Sequence, residues 1–161
     1  MKPLSLQAIN RVAPYKVTKL SESSFVFITP SGMIYHIFID EDMDIAGCKS
    51  YQFVISNNEK GPYDPFVKTT ILAILYEFFD KNDEIILYIC DTSDGREASR
   101  NRLFLRWFKQ EDIGRRFIIK NTCKEIEGET FYIAIILQKS NPMLHAVIDE
   151  FSLLDASIHN K

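Results

Sequence analysis

The sequence predicts an α+β fold: a mixed, mostly antiparallel sheet of about seven strands flanked by three helices. Short apolar stretches with alternating periodicity fill the first third of the chain, and long stretches with helical periodicity begin only after residue 63. The composition suits a packed core, because 46% of the 161 residues are hydrophobic and 25% are charged. No linker rich in Gly, Pro or Ser interrupts the chain, so residues 1–161 are predicted to form a single domain.

Four strands are predicted before the first long helix, at residues 15–20, 24–29, 33–39 and 51–56. In the second of them, Phe25 and Phe27 alternate with Val26 and Ile28, which is typical of a strand with one buried face. The tripeptide at 30–32, Pro-Ser-Gly, indicates the turn that follows. The acidic run at 40–44 is predicted to be a solvated loop.

Helices and strands alternate in the rest of the chain. Asp64 and Pro65 predict a helix start, since Asp caps free backbone N–H groups and Pro suits the first turn. That helix extends to about residue 79, and a continuous apolar run at 85–90 predicts a strand buried on both faces. The remaining predicted elements are a helix at about 96–109, strands at about 115–122 and 130–138 joined by a turn near 127–128, and an amphipathic helix starting at 141–142.

Charge, cysteine content and hydropathy restrict the class of protein. A formal net charge of −3 gives no general attraction to nucleic acid or anionic lipid. Cys48, Cys90 and Cys123 form no CxxC pair, which favours reduced thiols and a cytoplasmic location. The longest apolar run, at 131–137, is far shorter than the roughly 18 to 20 residues that span a bilayer, so no membrane partner is predicted.

No metal site is predicted. The three histidines, His36, His145 and His159, are widely separated in the sequence, and none has a Cys or His at ligand spacing. The acidic run at 40–44 has the first spacings of a calcium loop but lacks its glycine and its bidentate glutamate.

The element order across residues 15–138 resembles that of the GNAT-type N-acetyltransferase superfamily: four strands, a helix, a strand, a helix and two strands. The stretch at 98–120 is also similar to the helix, short loop and strand in the C-terminal half of that fold. The likeness is also compatible with membership of an uncharacterised bacterial family. The resemblance implies a GNAT-like sheet and an acyl-coenzyme A, such as acetyl-CoA, as the candidate cofactor.

Three features of the sequence depart from the family's pattern. The family holds pyrophosphate on a glycine-rich loop at a helix N-terminus, whereas here the matching loop has one glycine, Gly61, and places Asp64 where the phosphate would bind. Phe108 stands where the family often has a tyrosine that acts as general acid. The turn at 21–23 is too short for the two helices that the family inserts after its first strand.

These departures favour a catalytically degenerate module that needs no cofactor and binds a protein or a small anionic partner. An active N-acyltransferase with unusual phosphate binding is the alternative, and the sequence leaves open whether the chain is an enzyme. In that alternative, Asp91 and Tyr88 are the candidates for proton transfer. The candidate cofactor-binding residues lie near the starts of the first two predicted long helices; they are Gly61, Lys68, Arg96, Arg100 and Asn101.

The candidate partners follow from apolar and basic segments. The apolar helices at 66–79 and 144–154 could bury a protein partner or a second copy of the chain, as in a homodimer. Arg100 lies on the apolar side of its predicted helix, where it either forms a structural ion pair or contributes to an anion site. The basic stretch at 95–116 also carries aromatic residues, but we favour core packing for them and keep nucleic acid as the weaker alternative.

Overall fold

The computed structural model describes residues 1–57, 64–90, 106–110 and 116–159. Within these ranges the elements follow the order α1 (Leu6–Val12), β1 (Thr18–Ser21), β2 (Ser24–Ile28), β3 (Ile34–Ile45), β4 (Cys48–Asn57), α2 (Pro65–Lys81), β5 (Ile85–Cys90), α3 (106–110), β6 (Phe117–Ile126), β7 (Glu129–Gln138) and α4 (Leu144–His159). The strands form one seven-stranded mixed sheet in the order β1-β2-β3-β4-β5-β7-β6. The predicted α+β class and strand number are therefore confirmed, with four helical segments in the described ranges instead of three.

The chain divides into two compact units. The N-terminal unit comprises Met1–Asp40 and Phe53–Asp83, and the C-terminal unit comprises Glu41–Gln52 and Glu84–Lys161. That the chain forms a single domain stays a prediction.

The N-terminal unit is built on an antiparallel meander of β1, β2 and the first part of β3. Alternation places Phe25 and Phe27 of β2 and Ile37 and Ile39 of β3 in the core, where each is at most 1% exposed. Ile28, on the opposite face of β2, is 60% exposed. One face of this meander is thus apolar and covered, as the sequence alternation predicts.

Helix α2 supplies most of the remaining core of this unit. Its predicted start is confirmed: Asp64 is the N-cap and Pro65 is the first helical residue. Ten of its seventeen residues are buried, Phe78 completely. Phe66, in its first turn, is the exception among the predicted apolar positions, since 54% of its surface is exposed.

Helix α1 is absent from the sequence-based prediction, and polar side chains hold it in place. Ser5 caps it by accepting a hydrogen bond from the Ala8 N–H, and the Ser5 N–H donates to the buried carboxylate of Glu77 on α2 (3.1 Å). The Asn10 side-chain amide donates to the Val17 carbonyl oxygen (2.9 Å) and accepts from the Val17 N–H (2.7 Å). A seven-residue helix of this kind depends on tertiary contacts more than on its own periodicity, so the sequence pattern does not reveal it.

The acidic run at 40–44 is a strand, and the prediction of a loop there is wrong. These residues belong to β3 and are exposed. From residue 41 onward, this part of the β3–β4 hairpin belongs to the C-terminal unit. The hairpin turns at Ala46 and Gly47, which have φ values of 52° and 78°, as the tight turns that suit twisted strands require. The Glu150 carboxylate on α4 accepts a hydrogen bond from the Ala46 N–H. Strand pairing, rather than apolar content, makes this acidic segment extended.

The core of the C-terminal unit lies between strands and α4. β7 pairs antiparallel with both β5 and β6, and the predicted turn between β6 and β7 is confirmed at Glu127 and Gly128. The cluster that these elements bury consists of Ile45, Ile85, Leu87, Ile135, Leu137, Val147 and Phe151. Across the described ranges, no helix is both long and apolar enough to cross a membrane.

Candidate functional site

A surface pocket of about 270 Å³ lies in the N-terminal unit at the start of α2. Its lining comes from the segment before β1, the turn between β2 and β3, the start of β3, and the N-cap and first turn of α2. The polar lining comprises Tyr15, Thr29, Ser31, Tyr35 and Asp64, and the apolar lining comprises Pro30, Met33, Pro65 and Val67.

Asp64 uses both oxygens of its carboxylate. Oδ1 accepts from the Phe66 N–H at 2.9 Å, which satisfies one of the free donors at the start of α2. Oδ2 accepts from the Tyr15 hydroxyl at 2.5 Å. The helix cap and the pocket wall therefore share one side chain, and a change at Asp64 affects both.

Aromatic rings support this side of the pocket. Phe27 is buried between two tyrosines, and stacks on Tyr35 (centroids 5.1 Å apart) and on Tyr15 (6.3 Å). Phe66 meets the Tyr15 ring edge-on at 5.9 Å. The Tyr15 N–H also donates to the Thr70 hydroxyl of α2 at 3.3 Å. These contacts fix the position of the Tyr15 ring, so the pocket is preformed.

The turn between β2 and β3 places two hydroxyl groups on the opposite side of the pocket. The Thr29 and Ser31 side-chain oxygens are 3.0 Å apart, and Thr29 Oγ1 accepts from the Met33 N–H at 3.1 Å. Gly32 adopts a φ of 86°, which the predicted turn needs and which glycine takes at low cost.

The pocket is electronegative. Among the described residues that line it, Asp64 is the one whose side chain carries a full charge at neutral pH. Its hydrogen bond raises the pKa of Tyr15 to about 12, and desolvation and the charge of the carboxylate act in the same direction. Desolvation, followed by the charge of Asp64, also raises the pKa of Tyr35. Both hydroxyls therefore stay protonated at neutral pH, and the Tyr15 proton is already donated to Asp64.

We expect Tyr15 to titrate late and to link stability to alkaline pH. Because its pKa is raised in the folded state, the Tyr15–Asp64 contribution is full below pH 10 and is lost as the pH rises towards about 12. Ultraviolet titration of tyrosinate should show a tyrosine that ionises only at high pH. This group should be missing in Tyr15→Phe and should ionise at lower pH in Asp64→Asn. Identical tyrosinate curves for the wild type and Asp64→Asn would contradict this arrangement.

Two of the residues predicted from sequence to form a site are described. Lys68 lies on α2, one turn after Asp64, and is half-buried. Tyr88 lies on β5 opposite Ala134 and is 5% exposed. The other five, Gly61, Asp91, Arg96, Arg100 and Asn101, lie outside the described residues. Their roles stay predictions, as does the role of Tyr88 in proton transfer.

Sequence reasoning missed most of the pocket. The sequence pattern places Tyr15 and Tyr35 in predicted strands and indicates no further role for them. Of the polar residues that line the pocket, it indicates only Asp64, as a helix cap and as an obstacle to phosphate. A signal was present at Tyr35, which shares its strand face with Ile37 and Ile39. A tyrosine at the end of an inward-facing row needs a polar environment for its hydroxyl group.

No metal centre is apparent in the described ranges, where no group of three or more His, Cys, Asp or Glu residues is placed to hold an ion. The pocket's own donor set, one carboxylate and several hydroxyls, can accept hydrogen bonds from a ligand and attract positive charge. It is a poor receptor for phosphate, since the α2 donor that phosphate would use is already bonded to Asp64.

Comparison with known proteins gives a family but no activity. Residues 63–153 match the profile of the family described as "Family of unknown function (DUF6169)". The chain belongs to this family. The match begins just before Asp64 and includes all of α2, β5, β6 and β7. Neither the curated proteins nor the solved structures contain a match to the chain.

Proposed function

We propose that the chain is a catalytically degenerate GNAT-like module that binds a protein or a small anionic partner and does not transfer acyl groups. The observation that carries this proposal is the state of the α2 N-terminus. The resemblance implies that an acyl-CoA donor would place its pyrophosphate there, against free backbone N–H groups. Instead, Asp64 takes the Phe66 N–H, and Pro65 has no N–H to offer.

Electrostatics work in the same direction. A phosphate oxygen about 4 Å from the Asp64 carboxylate would be repelled by about 1 kcal/mol in bulk water and by about 4 kcal/mol at an effective dielectric constant of 20. Tyr15 is bonded to the same carboxylate and is held by its ring contacts, so Asp64 cannot turn away without losing that hydrogen bond. These terms weaken donor binding before any catalytic step.

The GNAT-like part of the proposal is supported by element order. Within the described ranges, four strands, α2, β5, the helical residues 106–110 and two further strands follow one another as in the predicted order. Two further helices between β1 and β2 are excluded, since two residues separate these strands.

The partner-binding part is supported by exposed apolar side chains. α2 uses most of its apolar residues in the core of its own unit, so its contribution to a partner surface is reduced to positions such as Phe66. Val12, Leu20 and Ile28 of the same unit are each more than half exposed. The anionic alternative relies on Arg96, Arg100 and Asn101 and is tested through them.

A turnover assay tests the absence of acyl transfer. We expect no acceptor-dependent release of coenzyme A when the protein is incubated with acetyl-CoA and a panel of primary amines and lysine-containing peptides. An active N-acetyltransferase assayed in parallel serves as the positive control. Release that scales with protein concentration and falls in Tyr88→Phe or Asp91→Asn would overturn the proposal and establish the acyltransferase alternative.

A further inference from the structure

We propose that the pocket of Tyr15, Tyr35 and Asp64 is a binding site for a guanidinium group, such as an arginine side chain. This inference goes beyond the proposed function and is independent of it, since the pocket can hold a cation whether or not the chain binds an acyl-CoA. It concerns a surface opposite in charge to the predicted anion site at Arg96 and Arg100.

The charged groups at the pocket favour a cationic ligand. The α2 N-terminus contributes the equivalent of about half a positive charge, and the Asp64 carboxylate contributes a full negative one. The net charge at the start of α2 is therefore negative. Burial raises the pKa of Tyr35, and the charge of Asp64 contributes in the same direction. None of the described lining residues is cationic, so the carboxylate has no basic side chain of the pocket to neutralise it.

The acceptors suit a ligand with several N–H donors. Each carboxylate oxygen offers about two acceptor positions, and the structure uses one on Oδ1 for Phe66 and one on Oδ2 for Tyr15. One position on each oxygen is left, so the carboxylate can accept two further hydrogen bonds, and a guanidinium presents several N–H donors in one plane. The hydroxyls of Thr29 and Ser31 provide further acceptors within the same pocket.

The aromatic lining distinguishes guanidinium from ammonium. Tyr15 and Tyr35 both line the pocket, and each is held by stacking against Phe27. A guanidinium is planar, weakly hydrated and able to stack on such rings, whereas an ammonium is compact and strongly hydrated. The volume of about 270 Å³ lies below the roughly 300–1,000 Å³ of pockets for drug-sized ligands, so it suits a single side-chain-sized group.

The test is a titration of the ¹⁵N-labelled full chain at low ionic strength, followed by backbone amide shifts. The main probe is Nα-acetyl-arginine methylamide. Its citrulline counterpart is the neutral isostere, and its lysine counterpart carries an ammonium in place of the guanidinium. We expect saturable shifts at Ser31, Asp64 and Phe66 with the arginine probe, and at least about tenfold weaker binding of the citrulline and lysine probes. n-Butylguanidine, a monocation like the arginine probe, is added as a fourth probe and distinguishes the source: tighter binding than the arginine probe indicates a free guanidine, and weaker binding indicates an arginine within a peptide.

Variants link the binding to the pocket. Asp64→Asn keeps a good helix cap and removes the charge, so we expect at least about tenfold weaker binding of the arginine probe. The same substitution at Asp149, which is exposed on α4, is the matched control and should change nothing. If Asp64→Asn fails to fold, Tyr35→Leu provides the second test and should weaken binding severalfold through loss of the ring.

Three results would overturn the inference. One is equal binding of the arginine and citrulline probes, which would show that the pocket does not distinguish a cationic from a neutral group. Another is wild-type affinity in a folded Asp64→Asn variant. The third is the absence of saturable shifts at the pocket amides with about 10 mM of the arginine probe.

Discussion

Replacement of Phe78 by alanine is expected to lower the free energy of unfolding by about 3–5 kcal/mol. Phe78 is completely buried on α2, and its ring meets Phe79 edge-on at 5.2 Å. Truncation leaves a cavity in the core of the N-terminal unit, and the surrounding side chains fill it only in part. Denaturant unfolding of Phe78→Ala against the wild type measures the loss.

Phe66→Ala is the matched control, because it makes the same change on the same helix. Phe66 is 54% exposed and has an edge contact with Tyr15, so we expect a loss below about 1.5 kcal/mol. A loss at Phe66 as large as that at Phe78 would show that the exposed and buried faces of α2 are assigned wrongly.

The second large effect is expected at Phe151 in the C-terminal unit. Phe151 is 5% exposed and belongs to the cluster with Val147, Ile135 and Leu137, so Phe151→Ala should lower the free energy of unfolding by about 3–5 kcal/mol. Leu153, two residues later on α4, is 70% exposed, and Leu153→Ala should cost well under about 1 kcal/mol.

The Phe151 and Leu153 variants together test how α4 packs in the C-terminal unit. Comparable small losses at both positions would mean that α4 does not dock through Val147 and Phe151. Unfolding followed by two probes also tests the predicted single domain, since one domain should give coincident transitions in both variants.

Local chemistry explains which elements the sequence predicts. Asp64 and Pro65 predict the start of α2 because a cap and a first-turn proline act within one turn of the helix. The turn at Pro30, Ser31 and Gly32 and the buried strand β5 are predicted for similar reasons. In each case the residues that determine the element lie within it.

Elements that rely on distant partners are the ones the sequence does not predict. α1 is held by Glu77 and by the Asn10–Val17 pair, and neither contact leaves a periodic signal. Residues 40–44 look like a loop because they are acidic, yet their backbone continues β3. Here the pairing of strands overrides the preference of single residues.

The pocket shows the same limit at the level of function. Asp64 could be identified because it stands at a helix start, but its role depends on Tyr15, which is 49 residues away in the chain. Tyr35 reaches the pocket through the register that places it opposite Phe27. A site assembled from three separate segments is determined by sheet register, which the sequence specifies only through the alternation of whole strands.

The proposed lack of a phosphate site and the charge of the pocket have a single cause. One carboxylate caps α2, repels phosphate, anchors Tyr15 and makes the pocket negative. A helix N-terminus is an anion site only while its N–H groups are available. At Asp64 the chain has used them internally and presents a surface of the opposite charge.

A calorimetric titration of the full chain with acetyl-CoA, beside free coenzyme A and with melting temperature followed in parallel, is the most direct test of the proposal that Asp64 prevents donor binding. We expect no saturable heat and no rise in melting temperature at millimolar concentrations of either compound. Saturable binding of acetyl-CoA with a rise in melting temperature would contradict this proposal, because the donor would then be held despite Asp64.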